Sequence, residues 1–304
     1  TTPWIGTSAR DGADGDRILA AGPDAAIVDR VEYANLDAGE LYRLAAVLMD
    51  KGTGEPVRDG DGRPVTAEKV FAAAELRGFE EVTLSFDATA LSGDVVVFEA
   101  LYKEGSDDPV ATHEDMDDYY QTVRIYPPRI GTSLADGADG DKQVVAEETV
   151  RLVDTVSYSN LVPGREHTVT GALMVAGADG ADPVPLAVPA TDGDGNALLS
   201  EDGEPVLAPV TAEATFMPES AAGTVEVVFE FPGSAIAEDM ALVAYEKLWR
   251  AGAEIASHED PADPNQTVVV VAPRIGTTAT DGADGDKGIE AAASAVIDDA
   301  VAYE

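Results

Sequence analysis

Several strands of this sequence carry a polar residue on the face that should be apolar, and those residues are of types that do acid–base and acyl chemistry. Period-two alternation over Ile27–Tyr33 puts Asp29 on one side with Ile27, Val31 and Tyr33. The same alternation puts Glu99 with Val95, Val97 and Leu101, Gln121 with Val123 and Ile125, and Thr7 with Ile5 and Ala9. A second set repeats the pattern: Asp154 with Leu152, Val156 and Tyr158, Glu246 with Leu242, Ala244 and Leu248, Gln266 with Val268 and Val270, Thr132 with Ile130 and Leu134. A histidine, His113 or His258, stands eight residues before each glutamine, near the end of the preceding strand. Two carboxylates in one apolar site cost several kcal/mol unless they pair or share a proton, and one of the two pKa values is then driven up. A threonine hydroxyl is a poor nucleophile without a base, and histidine supplies one near neutral pH. Two readings follow from the residues alone: a polar cluster that fixes strand register, or a reactive constellation.

The elements that must position these groups recur with them. IGTSARDGADGDR begins at Ile5, IGTSLADGADGDK at Ile130 and IGTTATDGADGDK at Ile275. VDRVEYANL matches VDTVSYSNL, and DDAVAYE starts the phrase a third time, bringing Asp299 to the same side as Ile297, Val301 and Tyr303. The chain thus reads as two full repeats, 1–127 and 128–272, and the opening of a third, 273–304, joined by short proline-containing connections. It stops at VAYE in mid-pattern and reads as an excised piece of something longer. The second repeat is the longer, its excess lying in a Gly/Asp/Pro-rich stretch near 177–208 expected to form an enlarged surface hairpin or loop. Short alternating strands at Ile27–Tyr33, Leu41–Met49, Glu81–Phe86, Val95–Tyr102 and Gln121–Tyr126, separated by turn signals, predict an all-β fold of tandem immunoglobulin-like β-sandwiches in a linear array. Only the stretch around Thr66–Leu76 reads as locally helical, and its VTAE could equally begin a strand.

Composition excludes several functions. With 58 Asp+Glu against 19 Lys+Arg in 304 residues, the net charge of −39 repels phosphate backbones and anionic membrane surfaces. No apolar run approaches a membrane span, and no signal peptide opens the chain. The absence of cysteine removes disulfides, thiol nucleophiles and Cys-based metal sites. The three DGADGD phrases allow calcium, but their spacing does not fit an EF-hand loop and an acidic turn is favoured, so no cofactor is expected. His167 lies outside the repeated phrases, opposite Tyr42 of repeat one, and is read as a strand residue.

The phrases IGTSARDGADGD, VDRVEY, VVFEALY and ATHEDMDDYYQTV resemble the T–Q ester-bond domains of Gram-positive surface adhesins, whose arrays are called VaFE repeats. The resemblance covers both full repeats and the start of the third. Two departures stand out: VAYE replaces the motif's phenylalanine in repeat two, and two prolines lie between His258 and Gln266. It implies an intramolecular ester between a first-strand threonine and a last-strand glutamine, here Thr7–Gln121 and Thr132–Gln266. Asp29, Glu99 and His113 would assist the first, and Asp154, Glu246 and His258 the second. Thr277 and Asp299 would remain without partners, because their counterparts lie beyond the end of the chain. The implied function is a structural stalk of an extracellular, cell-surface protein, anchored to the cell wall through other parts of it. Its neighbours would be adjacent repeats, the closure autocatalytic and single-turnover, and the chain no enzyme. The alternatives are a ligand-binding adhesive module for a host protein or glycan, and a hydrolase using the carboxylate pairs.

Overall fold

The computed structural model describes residues 2–177, 181–194 and 196–303, and among them every regular element but two short 3-10 turns is a strand. Residues up to Tyr126 form β1 (Trp4–Asp11), β2 (Ile18–Ala20), β3 (Ala25–Ala34), β4 (Leu41–Asp50), β5 (Thr66–Ala72), β6 (Arg77–Phe86), β7 (Gly93–Lys103), β8 (Pro109–His113) and β9 (Thr122–Tyr126). One sheet has the order β1-β3-β6 and the other β2-β9-β7-β4-β5, with β8 added to β7. The inward residues of both sheets, among them Ile27, Val31 and Leu84 from one and Leu44, Leu48, Val97 and Ile125 from the other, share one core. The strands form because β-branched and large apolar residues alternate with polar ones, which suits a pleat buried on one side.

The second repeat copies this plan in β10 (Arg129–Asp136), β11 (Gln143–Val145), β12 (Thr149–Ser159), β13 (His167–Val175), β14 (Val184–Pro185), β15 (Ala187–Pro189), β16 (Leu207–Pro209), β17 (Thr211–Phe216), β18 (Gly223–Pro232), β19 (Ala241–Arg250), β20 (Ala253–His258) and β21 (Thr267–Val271). Its sheets are β10-β12-β18 and β11-β21-β19-β13-β14, the latter with β17 on β13 and β20 on β19. Leu152, Val227 and Phe229 meet Val169, Leu173, Leu248 and Val268 across its core. In each repeat a tyrosine lies over a glycine on the neighbouring strand. A Cβ at Gly78 would lie 2.4 Å from the Tyr33 hydroxyl, and one at Gly223 2.5 Å from that of Tyr158. The glycine is required there because the ring occupies the space a side chain would take.

Two sequence expectations need comment. The Thr66–Leu76 stretch is not helical: Thr66–Ala72 is β5, paired antiparallel with β4 from Thr66 opposite Val47 to Ala72 opposite Leu41. Val65 and Phe71 are buried and Ala67 is half-buried, a period of two that the run of helix formers masked. The enlarged stretch near 177–208 carries β14 and the β15–β16 hairpin, between whose arms the chain folds back on itself at the Thr191–Ala197 and Leu199–Pro205 bridges; residues 178–180 and 195 of it lie outside the described residues.

After Pro273 the chain forms a single hairpin, β22 (Ile275–Asp281) with β23 (Ile297–Tyr303). Its register, Thr277 opposite Val301 and Ala279 opposite Asp299, repeats that of Thr7 with Val31 and Ala9 with Asp29. The strands are largely exposed, Tyr303 at 88%, so the apolar face formed by Ile297, Val301 and Tyr303 is uncovered.

Candidate functional site

Each site is assembled across a sandwich from both sheets. β1 and β3 pair so that Ala9 faces Asp29, with Thr7 two residues along β1 on the same inward side. From the opposite sheet, β7 and β8 pair Glu99 with His113, and Gln121 immediately precedes β9. The second repeat has the same registers, Leu134 facing Asp154 and Glu246 facing His258. Asp29, Glu99, Gln121, Asp154, Glu246 and Gln266 are all 0% exposed, and Thr7 and Thr132 are 8% and 7% exposed. The two histidines are half-buried. The structure therefore gathers all ten residues singled out in the two full repeats into two buried clusters. It does not do so for Thr277 and Asp299, which lie exposed on the β22–β23 hairpin.

The carboxamides are held by backbone. Gln121 Nε2 donates to Val97 O at 2.6 Å and to His113 O at 3.2 Å. Gln266 Nε2 donates to Ala244 O at 2.7 Å, His258 O at 3.0 Å and Glu246 Oε2 at 3.4 Å, while its Oε1 accepts from the Asp260 N–H at 3.2 Å. Both bonded carbonyls are counterparts between repeats, so each amide side chain is fixed with its nitrogen toward the strand that carries the glutamate. A buried primary amide so held presents its carbonyl carbon in one orientation.

Thr7 Oγ1 and Nδ1 of His113 and His258 lie buried at the centre with no hydrogen-bond partner, and the Asp29–Glu99 and Asp154–Glu246 carboxyls face each other there. Orphans of complementary type in one buried place are a departure from ordinary core design. Burial raises the pKa of Asp29, opposed by the Ser8 N–H and the neighbouring Glu99. Burial also raises Glu99, and there the Asp29 charge adds to the rise. Glu246 is raised by burial and by Asp154, whereas Asp154 is raised by burial but lowered by Glu246, the Ser133 N–H and the Lys142 charge. Burial thus drives both carboxyls of each pair upward, and the pair holds a proton between its two members instead of ionising twice.

Sequence reading missed one residue in each repeat. Asp118 Oδ2 lies 3.0 Å from His113 Nε2, and Asp263 Oδ2 lies 3.4 Å from His258 Nε2. The other oxygen of each is fixed by a backbone N–H, Tyr120 to Asp118 at 2.7 Å and Asn265 to Asp263 at 2.8 Å. An aspartate on Nε2 selects the tautomer whose Nδ1 carries the free lone pair, and Nδ1 is the buried, unpartnered nitrogen. Both aspartates stand five residues after the histidine in HEDMDDYYQ and HEDPADPNQ, and that shared spacing was the available signal.

His167 begins β13 as expected, buried against Phe216 with its Nδ1 on Arg165 O at 2.9 Å. The DGADGD phrases form tight turns in which Asp11, Asp14 and Asp16 accept the N–H two residues on, with Gly15 at φ +83°. Glycine is needed at that left-handed position.

The raised glutamates give a pH prediction for a chain carrying Thr7→Ala and Thr132→Ala, which cannot form either ester. Its folded state holds protons on Glu99 and Glu246 that an unfolded carboxyl of pKa 4.5 releases. Their contribution is whole below pH 4.5 and declines as the pH climbs to about 9 for Glu99 and about 10 for Glu246. Thermal midpoints are expected to fall from pH 5 to pH 9, and adding Glu99→Gln and Glu246→Gln should flatten that fall. An equal fall with and without the glutamines would contradict proton-holding by these residues.

The description "T-Q ester bond containing domain" belongs to the family model that matches residues 3–125, 128–270 and 273–304. Comparison with curated protein sequences gave no match. Two solved structures of a bacterial adhesin from Mobiluncus mulieris, containing intramolecular disulfide, isopeptide and ester bond cross-links, align with 100% and 99% of this chain and 93% and 92% of theirs. Identities are 14% and 15%, and TM-scores 0.33 and 0.35. Red sea bream transglutaminase aligns with 88% of this chain and 31% of its own at 15% identity and a TM-score of 0.26. At those TM-scores the structural likeness carries no functional argument. The family match, by contrast, spans nearly every residue and all three copies of the Thr-bearing strand, and on that ground the protein belongs to the family of T-Q ester bond containing domains.

Proposed function

We propose that this chain is a stalk segment of a bacterial cell-surface adhesin, with two immunoglobulin-like repeats, 1–127 and 128–272, each closed by its own ester, and a third begun at 273–304. The observation that carries the reading is the duplicated set: a hydroxyl from the first strand, a carboxamide at the last and a carboxyl pair buried between two sheets, with a half-buried His–Asp pair at their edge. Thr7 Oγ1 attacks Gln121 Cδ while His113 Nδ1 takes its proton. The Oγ1–Cδ bond forms, the Cδ–Nε2 bond breaks, and the proton passes from His113 to the departing nitrogen, which leaves as ammonia. Protonated Glu99, paired with Asp29, offsets the charge that develops on the carboxamide. Asp118 holds the imidazole. Thr132, Gln266, His258, Glu246, Asp154 and Asp263 act in the same roles in repeat two. The product resembles an acyl-enzyme that persists because water is kept out, so each site reacts once. Carboxyls with 0% exposure also leave a hydrolase no route to substrate.

Function follows from where the bond lies. Pulling on a stalk loads the first and last strands of each sandwich, and a covalent tie between them carries force past the hydrogen-bond ladder. Single-molecule stretching tests this. The parent chain should extend without release of length from either repeat, and Thr7→Ala should release that of repeat one alone. A parent chain whose repeats unravel like the variant's would refute the stalk role. One observation favours a ligand-binding role beside it: the long hairpin of repeat two exposes Leu198, Leu199, Val206 and Leu207, at 43%, 60%, 41% and 62%. A host-protein and glycan array in which the parent binds and a hairpin-shortened variant does not would decide for that reading.

A further inference from the structure

A basic residue stands ten positions after the threonine in all three copies: Arg17, Lys142 and Lys287. In repeat one the carbonyl preceding the glutamine, Tyr120 O, accepts directly from the Ala9 N–H of the first strand at 2.9 Å. In repeat two the bridge between the counterparts of those residues is a side chain. Lys142 Nζ donates to Leu134 O on β10 and, at 2.7 Å, to Asn265 O, immediately before Gln266. The difference has a visible cause, since Pro264 sets a 3-10 turn at Pro264–Gln266 and re-routes the backbone there. Arg17 retains a related contact in repeat one, donating to Tyr119 O and lying over the Tyr119 and Tyr120 rings at 4.5 and 4.9 Å. Lys287 grips the first strand in the same way, donating to Ala279 O at 2.5 Å.

We infer that Lys142 is a positioning residue for ester formation in repeat two: its ammonium ties the residue before Gln266 to the strand that carries Thr132, and so sets the approach of hydroxyl to carboxamide. The inference rests on the ester reading above. It asks of Lys142 what proximity requires, because a misplacement near 1 Å costs on the order of a hundredfold in rate. The ammonium is half-buried and faces Asp154 and Asp263, and its charge opposes the rise that burial imposes on Asp154.

The test follows ammonia loss from each repeat after cell-free synthesis, read by the masses of the cross-linked peptides, with repeat one as the control in the same chain. Lys142→Met should slow closure of repeat two at least roughly tenfold, leave repeat one unchanged, and give a folded chain by circular dichroism. Lys142→Arg, which has the donors that Arg17 uses, should restore the rate. Closure of Lys142→Met at the parental rate, or failure of Lys142→Arg to restore it, would overturn the inference. Should Lys142→Met not fold, Lys142→Gln takes its place, too short to bridge both carbonyls, and parental closure there would overturn it equally. A parent chain that loses no ammonia in either repeat would instead overturn the ester reading itself, an outcome the variants do not mimic.

Discussion

A chain carrying Thr7→Ala and Thr132→Ala is expected to unfold far below the parent. Each ester closes a loop of more than a hundred residues, from Thr7 to Gln121 and from Thr132 to Gln266. By analogy with a disulfide, such closure removes unfolded-state entropy worth about 4–5 kcal/mol per repeat. For repeats of this size that corresponds to a fall of roughly 15–20 °C in the midpoint. The Thr7 hydroxyl makes no other bond in the fold, and that of Thr132 meets only the Glu246 carboxyl, so the substitutions themselves remove little else. Thr7→Ser and Thr132→Ser, which retain a nucleophile, should keep most of the stability. Equal midpoints for the alanine and parent chains would refute the cross-link's part in stability.

The second large effect concerns the groups around the bond. Glu99→Ala, His113→Ala or Asp118→Asn should leave repeat one folded but open, while repeat two still closes. Asp118→Asn tests the missed residue most sharply. By analogy with a triad aspartate, its replacement leaves the geometry and selects the wrong tautomer, an effect on the order of 10⁴ in rate. The two sites share no residue and should behave independently. Repeat-resolved masses read this directly, and loss of both cross-links from one substitution would contradict separate sites.

Much of this arrangement is legible in the sequence because a strand has a period of two. A carboxylate, hydroxyl or carboxamide out of phase with its neighbours is visible without coordinates, and Asp29, Glu99, Gln121 and Thr7 are each buried beside the apolar residues that alternation assigned to them. The repeat adds a second reading of the same signal. Alternation fails where there is no strand. Asp118 and Asp263 sit in the turn between β8 and β9 and its counterpart, where side-chain direction follows from hydrogen bonds and not from parity. Lys142 was invisible for another reason, since its partners are backbone carbonyls, which every residue has. Over Thr66–Ala72 the helix-forming Ala, Glu and Lys masked Val65, Ala67 and Phe71, and pairing with β4 decided the outcome. The hairpin after Pro273 shows the opposite limit. Its register is that of the other repeats, yet its residues are exposed because a two-stranded hairpin has no second sheet to cover it.

The intact mass of the purified chain tests the central claim most directly. Each closure expels one ammonia, so the account predicts a mass about 34 Da below that of the sequence, two losses of about 17 Da. Peptide mapping should place one link between Thr7 and Gln121 and the other between Thr132 and Gln266, with Thr277 free. An unshifted mass would contradict ester formation altogether. A deficit near 51 Da, three losses, would mean that Thr277 had found a glutamine outside its own repeat, and the account of self-contained sites would be wrong.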